Sequence, residues 1–551
     1  MAPSPTAQKR RAILAVYDKT GIVEFARGLH DLGWELIGTG GTAKTVADAG
    51  LPITQVADLT GSPEMLGGRV KTLHPKIHGG ILYRRGNEGD EAEVVQYEVP
   101  AIDLVAGNLY PFIDTVTKGT PSLAQALEEI DIGGPTMIRA SAKNHPWVLS
   151  VIDPADYETV LEALRSAGGD PSGVDAEARR GLAAKAFQHV AHYDTAIAEY
   201  LRGNPSDGGA GEVETFPAQL SFGATRREVL RYGENPHQQG AFYTYDSVFT
   251  PVEGIGGFEQ HHGKAMSYVN ILDADAAYNA VADFEEPAIS IIKHTNPACF
   301  AAGSGAAGEG ASLSSLSSLY ERALGDGDFV SAYGGIVAVN RVVDMAFAEA
   351  LREVRSPSDG ETRMFYEIVV APGYDPEALE HLKKKSKDLR ILTAPMGEPR
   401  RERLEFRSVR GGVLVQNADV KFVTDFEVVS QRQPSEGELA DLRVAWNICK
   451  HVKSNGVVFV KDGVLIGMGA GQPNRVGSAR LCAEQAGERA QGAVCATDAF
   501  LPFPDTVEVA AAAGCTLVAH TGGSIRDEDS VQAADRLGVS LVTTGVRHFR
   551  H

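Results

Sequence analysis

Residues 69–78 of this acidic chain hold five side chains able to carry positive charge: Arg69, Lys71, His74, Lys76 and His78, within GGRVKTLHPKIHGG. In an exposed loop such a cluster is merely solvated. Gathered in a pocket, it binds a phosphate and positions a proton donor. A second group precedes it. GTGGTAK, 38–44, follows an apolar run and opens a helical pattern, so Gly40 and Gly41 let an anion approach free backbone N–H groups. It lacks the Gly-Lys-Ser/Thr ending of a Walker loop, and Ala43 stands where a dinucleotide fingerprint has its third glycine. Tyr17-Asp18-Lys19-Thr20 has the same strand-to-helix form and adds the Lys19 charge. NLYPF, 108–112, sets Tyr110 past a strand, where open α/β sheets bind ligands. DIGGPTMIRASAKNH, 131–145, contributes Asp131, Arg139 and Lys143, and Asp131 alone reads equally as a helix cap.

Farther along, KHTNPACF follows the apolar run AISII. Lys293 and His294 therefore fall at a strand end before an extended Asn-Pro turn. A lone histidine is more often structural. Paired with lysine at a strand end, it is placed to accept a proton near neutrality.

The elements that must carry these groups alternate. AILAVYD, WELIG, DLVAGNLY and WVLSVID read as strands, and TGIVEFARGLHDLG, TAKTVADAG and 179–202 as helices, so a parallel sheet flanked by helices is expected. The tract 203–217 is Gly/Pro/polar without apolar period, and the main domain boundary is placed there, giving domains over 1–210 and 211–551. Beyond it, AISIIKHTNPACF, VSAYGGIVAVN, EIVVAPGY, GVVFVKDGVLIGMGAG, CTLVAHTGG and SLVTTGVRHF are strand-rich, with DADAAYNAVADF and LADLRVAWNICKHV helical between them. Stretches 285–375 and 455–550 read as a diverged duplication. Residues 301–318 read as a loop insertion, and Lys383, Lys384, Lys385 and Lys387 as a solvated face.

Composition narrows the function. At 551 residues, two to four domains are expected. Fifty-two Lys and Arg against 72 Asp and Glu give a net charge of −20, which argues against a nucleic-acid coat while allowing one local cationic pocket. The five cysteines form no C-x-x-C, which disfavours a disulfide framework and a zinc ribbon. The apolar run Ala12 to Tyr17 is too short for a signal core or membrane span, so a soluble cytoplasmic enzyme with no membrane partner is expected.

Read together, DKTG, GTGGTAK, GGRVKTLHPKIHGG, NLYPF, DIGGPTMIRASAKNH, LRYGENPHQ, KHTNPA, SAYGGIVA, KSNGVVF, GMGAGQPNR, DAFLPFPD and GGSIRD closely resemble, in order and over almost the full length, the bifunctional AICAR transformylase/IMP cyclohydrolase family. The resemblance implies an α/β fold: a methylglyoxal-synthase-like parallel-sheet α/β/α domain, then two cytidine-deaminase-like α/β subdomains without the zinc site, roughly 218–375 and 376–551. It implies formyl transfer from 10-formyltetrahydrofolate to AICAR, then closure of formyl-AICAR (FAICAR) to IMP. No catalytic metal is expected, a monovalent cation such as potassium is allowed, and a homodimer is typical.

Carried over residue by residue, the cyclohydrolase constellation is Lys71, Tyr110, Asp131 and Lys143. Lys143 moves protons, Lys71 and Tyr110 stabilise charge, and Asp131 orients the amide or carries its proton. Asp18, Lys19, Thr39, Gly40, Gly41, Thr42, Arg69, Val70, Thr72, Gly107, Asn108 and Ile132 fall on nucleotide-binding pieces. For the transformylase, His294 is the base, Lys293 stabilises the oxyanion or protonates the leaving nitrogen, and Asn455 binds the formyl oxygen and holds His294. Arg231, Tyr232, Gly334, Glu367 and Arg547 match substrate contacts. Arg475, Phe500, Asp505, Ser524 and Ile525 match the folate and base pocket. Many relatives have serines where Val16 and Tyr17 stand, and an aspartate where Glu367 stands. Two other readings remain: a transformylase with a regulatory first domain, and a zinc deaminase, for which the P-C-x-x-C run is missing.

Overall fold

The computed structural model describes residues 9–110, 112–118, 121–203, 215–248, 252–303, 315–355, 359–398 and 403–551. Residues 204–214 of the proposed linker and 304–314 of the proposed insertion lie outside them, as does Pro111. The chain forms two compact units, Met1–Ala224 with Tyr245–Pro251, and Thr225–Thr244 with Val252–His551.

The first unit is built on β1 (Arg11–Val16), β2 (Glu35–Gly38), β3 (Thr54–Gln55), β4 (Leu104–Asn108) and β5 (Leu149–Val151), in the order β3-β2-β1-β4-β5. Every pairing is parallel. Alternate residues of β1 enter opposite cores: Ala12, Leu14 and Val16 pack on one face, Ile13 on the other. Both faces are covered, which is why the strands read as unbroken apolar runs. The chain leaves β1 toward β2 on one side while β4 lies on the other, so the carboxyl ends of β1 and β4 form the switch-point crevice of an open α/β sheet. Helix Gly40–Asp48 begins one residue past Thr39, so the glycines predicted as a turn form the first helical turn instead. Their amides thereby remain free at the positive end of the helix.

The second unit has a twelve-stranded sheet. Its strands are β6 (Glu259–His262), β7 (Ala288–Lys293), β8 (Asn296–Ala302), β9 (Gly335–Val339), β10 (Tyr366–Ala371), β11 (Arg390–Thr393), β12 (Glu427–Val428), β13 (Val457–Lys461), β14 (Val464–Gly469), β15 (Val494–Thr497), β16 (Leu517–His520) and β17 (Ser540–Thr543). The order is β12-β17-β16-β15-β13-β14-β8-β7-β9-β10-β11-β6. It is symmetric about its middle: in each half an antiparallel hairpin lies at the inner end, followed outward by three parallel strands and an antiparallel edge. Helices Tyr268–Ala282 and Glu436–Cys449 precede the two hairpins. The duplication read from 285–375 and 455–550 is this repeat. Ile289 and Ile291 face one core, Ala288 and Ile292 the other.

Of the lysine run, Lys385 does not behave as solvated. It is half-buried, donates to the Leu351 carbonyl at 2.9 Å and lies over the Tyr366 ring. Burial lowers its pKa to about 8.

Two glycines test the packing. A Cβ on Gly469, in β14, would meet the Ser478 carbonyl of the helix packed on it, whereas one on Gly437, in a helix first turn, meets nothing within 4 Å. Gly469→Ala is expected to cost about 1–3 kcal/mol by overpacking, and Gly437→Ala to stabilise by roughly 0.5–1 kcal/mol. The unfolding midpoints of the two variants check both signs.

Candidate functional site

In the first unit, the predicted residues converge at the β1–β4 crevice through a closed ring of contacts. A Cβ on Gly40 would stand 3.4 Å from Lys71 Nζ, and one on Gly41 3.8 Å from Lys19 Nζ. Two ammonium groups thus flank the first turn of helix Gly40–Asp48. Thr39, its N-cap, makes no side-chain capping bond, so its hydroxyl remains available. Thr42 is structural. Its buried hydroxyl donates to the Val16 carbonyl at 2.9 Å and accepts the Val16 N–H at 3.1 Å, tying the glycine turn to β1.

Asn108 works from β4. Its Oδ1 accepts the N–H groups of Tyr17 at 2.7 Å and Asp18 at 2.9 Å. Its amide donates back to the Asp18 carbonyl at 3.3 Å. Asn108 therefore shapes the turn after β1, and Gly107 beside it pairs with Ala15. The Thr20 hydroxyl and N–H both bond Asp18, which holds its carboxyl below the usual range. The Tyr17 ring meets the Tyr110 ring edge-to-face with centroids 4.3 Å apart. The residue that departs from the family pattern thus lies directly on a predicted catalytic one.

The ring closes through Asp131. Its Oδ1 accepts the Gly134 N–H at 3.0 Å, a helix-capping geometry, while its own N–H donates to Tyr193 Oη at 2.7 Å. Gly134 lies against Leu109 and the Asp131 carboxylate, and Gly133 against the buried Thr72 hydroxyl, adjacent to Lys71. Capping and proximity to the cluster are both present. Burial pushes the Tyr193 phenol up to about 12, so it stays a neutral hydrogen-bond partner.

Three predicted residues sit apart. Arg69 is exposed and ion-paired with Glu128. Ile132 is 55% exposed. Lys143 is exposed at the last position of the 11-residue helix Gly133–Lys143, so roughly 15 Å of helix separates it from the Asp131 end. Val70 lies in the turn between Arg69 and Lys71, partly covered.

In the second unit, Lys293 ends β7 and its ammonium donates to the Tyr333 carbonyl at 2.8 Å, beside Gly334, whose φ is +75°. His294 and Thr295 form a two-residue hairpin turn between the paired Lys293 and Asn296, with φ of 53° and 62°. The expected extended Asn-Pro turn is instead strand β8. A turn with both central residues left-handed favours Asn-Gly or Asp-Gly. With a histidine and a β-branched threonine it costs roughly 1–3 kcal/mol per residue and signals function. The fold holds it through buried Asp273, whose Oδ1 accepts the Thr295 N–H at 2.7 Å.

Asn455 stands before β13. Its amide donates to the Gln472 carbonyl at 2.8 Å and its carbonyl accepts the Ser478 hydroxyl at 2.7 Å. The two segments meet where the Lys453 N–H donates to Asn296 Oδ1 at 3.3 Å, next to the His294 turn.

Arg475 is not a surface ion pair. It is 8% exposed, pairs with the fully buried Asp498 and donates to the Phe500 carbonyl at 3.1 Å. Phe500 is 41% exposed, so it is not a core aromatic. Asp498 also accepts the Ser454 hydroxyl and the Gly456 N–H, and its carbonyl accepts the His548 N–H at 3.0 Å. His548 is held in turn by Asp419 at 2.6 Å, leaving neighbouring Arg547 exposed. Glu367 is ion-paired with Arg390 at 2.8 Å. Arg231 lies past strand Ala224–Leu230, its guanidinium over the Tyr232 ring. Asp505 starts helix Asp505–Ala513, Ser524 N–H donates to Asp527, and Ile525 is fully exposed. Asp273, Asp498 and Ser454 were missed as site residues. The only sequence signal was that Asp498 begins DAFLPFPD and Ser454 precedes Asn455.

A cavity of about 490 Å³ opens beside His520, Gly522, Gly523, Asp527 and Thr543. His520 is buried, accepts the Gly522 N–H on Nδ1 and has no partner on Nε2. All five cysteines are buried and unpaired. Among the described residues no helix is long and apolar enough to cross a membrane.

A parallel-sheet α/β unit with a cationic switch-point crevice, and a duplicated α/β unit with a Lys-His turn, define a two-site enzyme class. The family model described as AICARFT/IMPCHase bienzyme matches residues 141–485, and the MGS-like domain model residues 21–136. The bifunctional purine biosynthesis protein PurH of Anoxybacillus flavithermus is 46% identical over 545 residues, 98% of this chain and 100% of its own. That of Bacillus cereus matches to the same extent. The crystal structure of ForH is 43% identical, covering 35% of this chain and 100% of its own, with a TM-score of 0.33. The chain belongs to the AICARFT/IMPCHase bienzyme family.

Burial of His520 lowers its pKa to about 4, from the usual ~6.5. The unfolded chain therefore binds the extra proton first. Stability present above about pH 6.5 should fall as pH drops toward 4, by about 3 kcal/mol at most. His520→Asn, which keeps an acceptor for Gly522, should flatten that part of the unfolding free energy against pH. An unchanged slope would contradict the assignment.

Proposed function

We propose that this chain performs both reactions of its family: formyl transfer from a folate donor to AICAR in the second unit, and dehydrative closure of FAICAR to IMP in the first. The observation that carries this reading is that a full-length bienzyme match coincides with two separate built clusters, Lys71–Tyr110–Asp131 and Lys293–His294. The reading with a merely regulatory first unit leaves the closed ring around Lys71 without a purpose. The formyl donor is 10-formyltetrahydrofolate, a potassium ion is an optional activator, the active form is a homodimer, and the compartment is the cytoplasm. The functional domains divide near 210, with the second split near 375.

In formyl transfer the AICAR amine attacks the formyl carbon. Its lone pair is delocalised, so the nitrogen must be oriented and deprotonated as the C–N bond forms. His294, at the apex of its turn, takes that proton. The Lys293 ammonium stabilises the tetrahedral oxyanion or supplies the proton to the departing folate nitrogen, and Asn455 hydrogen-bonds the formyl oxygen. Arg231 and Arg547, both exposed forks, are free to grip the ribotide phosphate. Phe500 offers an apolar surface to the folate.

Ring closure is intramolecular: the carboxamide nitrogen attacks the formyl carbon and water leaves. Positioning supplies much of the acceleration. Lys19, Lys71, Thr39 and the Gly40–Gly41 amides anchor the phosphate. Tyr110 and Lys71 stabilise developing charge, and Asp131 orients the amide. Lys143 is the proton carrier of this reading, and its distance along the helix makes it the most exposed assignment.

With AICAR and 10-formyltetrahydrofolate the purified chain should form IMP, and with FAICAR supplied directly it should form IMP above the buffer rate. A chain that leaves FAICAR uncyclised has a silent first unit. His294→Ala should lower formyl transfer by about 10² or more and leave cyclisation intact. Lys71→Ala and Lys143→Ala should do the reverse. Loss with Lys71→Ala but not Lys143→Ala would remove Lys143 from the site.

A further inference from the structure

The duplicated unit contains its own control for the His294 turn. Asp273 is the sixth residue of helix Tyr268–Ala282 and Asp441 the sixth of helix Glu436–Cys449. Each carboxylate reaches the two-residue turn of the hairpin that follows its helix. Asp441 accepts the N–H groups of Asp462 at 2.8 Å and Gly463 at 2.7 Å. Asp273 accepts the Thr295 N–H at 2.7 Å. In both halves 22 residues separate the carboxylate from the second turn residue. Both aspartates are 8% exposed, and desolvation raises the pKa of each against the backbone bonds it accepts.

What the two carboxylates hold is different. The second half has Asp462-Gly463, with φ of 50° and 77°, the pair such a turn favours. The first half has His294-Thr295 in the same left-handed conformation, where a β-branched residue is strained. The hairpin does not require that strain, since its copy closes without it. Threonine and histidine here therefore stand against backbone preference, and the carboxylate grip opposes relaxation of the turn together with the Thr295 hydroxyl and Asn296 amide, which both donate to the His294 carbonyl. The grip also constrains the direction of the His294 Cα–Cβ bond, because the amide that follows His294 is pinned to a buried group.

We propose that Asp273 is a positioning residue for formyl transfer: it locks the His294–Thr295 turn in the left-handed form that presents the His294 imidazole, while its counterpart Asp441 performs the same clamp as structure alone. This rests on the reading of His294 as the transfer base.

The test compares four variants of the full chain with AICAR and 10-formyltetrahydrofolate, using FAICAR cyclisation to verify a folded preparation. Asp273→Asn keeps the size and one acceptor oxygen but loses the charge facing the Thr295 amide. It should lower kcat for formyl transfer by about 10-fold to 100-fold, the cost of misplacing a reacting group by about 1 Å. KM for AICAR should hold, since the phosphate and base contacts lie elsewhere. Asp441→Asn should lower the unfolding midpoint and leave kcat in place. Adding Thr295→Gly to Asp273→Asn should restore part of the lost kcat, because glycine adopts the turn without a clamp. A purely structural Asp273 would give no such rescue. The proposal is overturned if Asp273→Asn matches the parent in kcat while His294→Ala is inactive, or if Asp441→Asn depresses kcat equally. If His294→Ala itself keeps full activity, the base assignment falls instead.

Discussion

The larger unit's site hangs on one fully buried carboxylate. Asp498 pairs with the guanidinium of Arg475, accepts the Ser454 hydroxyl and the Gly456 N–H, and through its carbonyl holds His548 near the chain's end. Four stretches far apart in sequence meet on it. Each carries a candidate residue: Asn455 beside Ser454, Arg475 itself, Phe500 two residues on, and Arg547 beside His548. A buried ion pair contributes little net stability, yet losing one partner leaves an unpaired charge in the interior and costs several kcal/mol. Asp498 is therefore better understood as fixing register among these stretches than as adding to stability. Arg475 belongs to the same logic. Through the Phe500 carbonyl it also holds the loop that carries Phe500.

Around that centre the fold is a repeated scaffold with unequal chemistry. Both halves place a helix, a hairpin and three parallel strands in the same order, and the two hairpins meet where Ala301 pairs with Val464. Such a scaffold determines where turns emerge, not what they carry. One hairpin turn took Asp-Gly and the other His-Thr. At opposite ends of the sheet the lysines before the two turns make the same kind of bond: Lys293 donates to the Tyr333 carbonyl and Lys461 to the Gln491 carbonyl. The first has become a site because a histidine follows it and Asn296 ties it to the segment before Asn455.

Much of this was legible in the sequence for physical reasons. Strands buried on both faces are unbroken apolar runs, so AILAVYD and AISII announced themselves. Helix Ala176–Gly203 was visible from its periodicity over 179–202. The ordered motifs carried the family. What was not legible depends on distance in sequence. Nothing near Asp273 says that its carboxylate will meet an amide 22 residues later, and Asp498 reads as an ordinary polar residue after a strand. The His294 turn was misread because propensity rules expect Asn-Gly at that conformation, and the following proline suggested an extended turn where a strand forms. The lysine run misled similarly: composition cannot tell that Lys385 folds back over Tyr366.

The first unit solves its problem by the opposite electrostatic route. Where the second buries carboxylates to hold backbone amides, the first leaves cations facing an amide-lined turn. Among the described residues Lys19 bonds only the Tyr17 carbonyl and Lys71 forms no ion pair, although Lys71 approaches Gly40 and Lys19 approaches the neighbouring Gly41. Two like charges beside the positive end of a helix repel one another, a cost that a lone helix turn would never select. A phosphate dianion placed there would add attraction to both ammonium groups and to the free amides, offsetting that repulsion. Arg69 is excluded from that set by Glu128, which limits the charge gathered at the crevice. The pocket is thus most costly when empty, and ligand binding should stabilise this unit more than its small contact area would suggest.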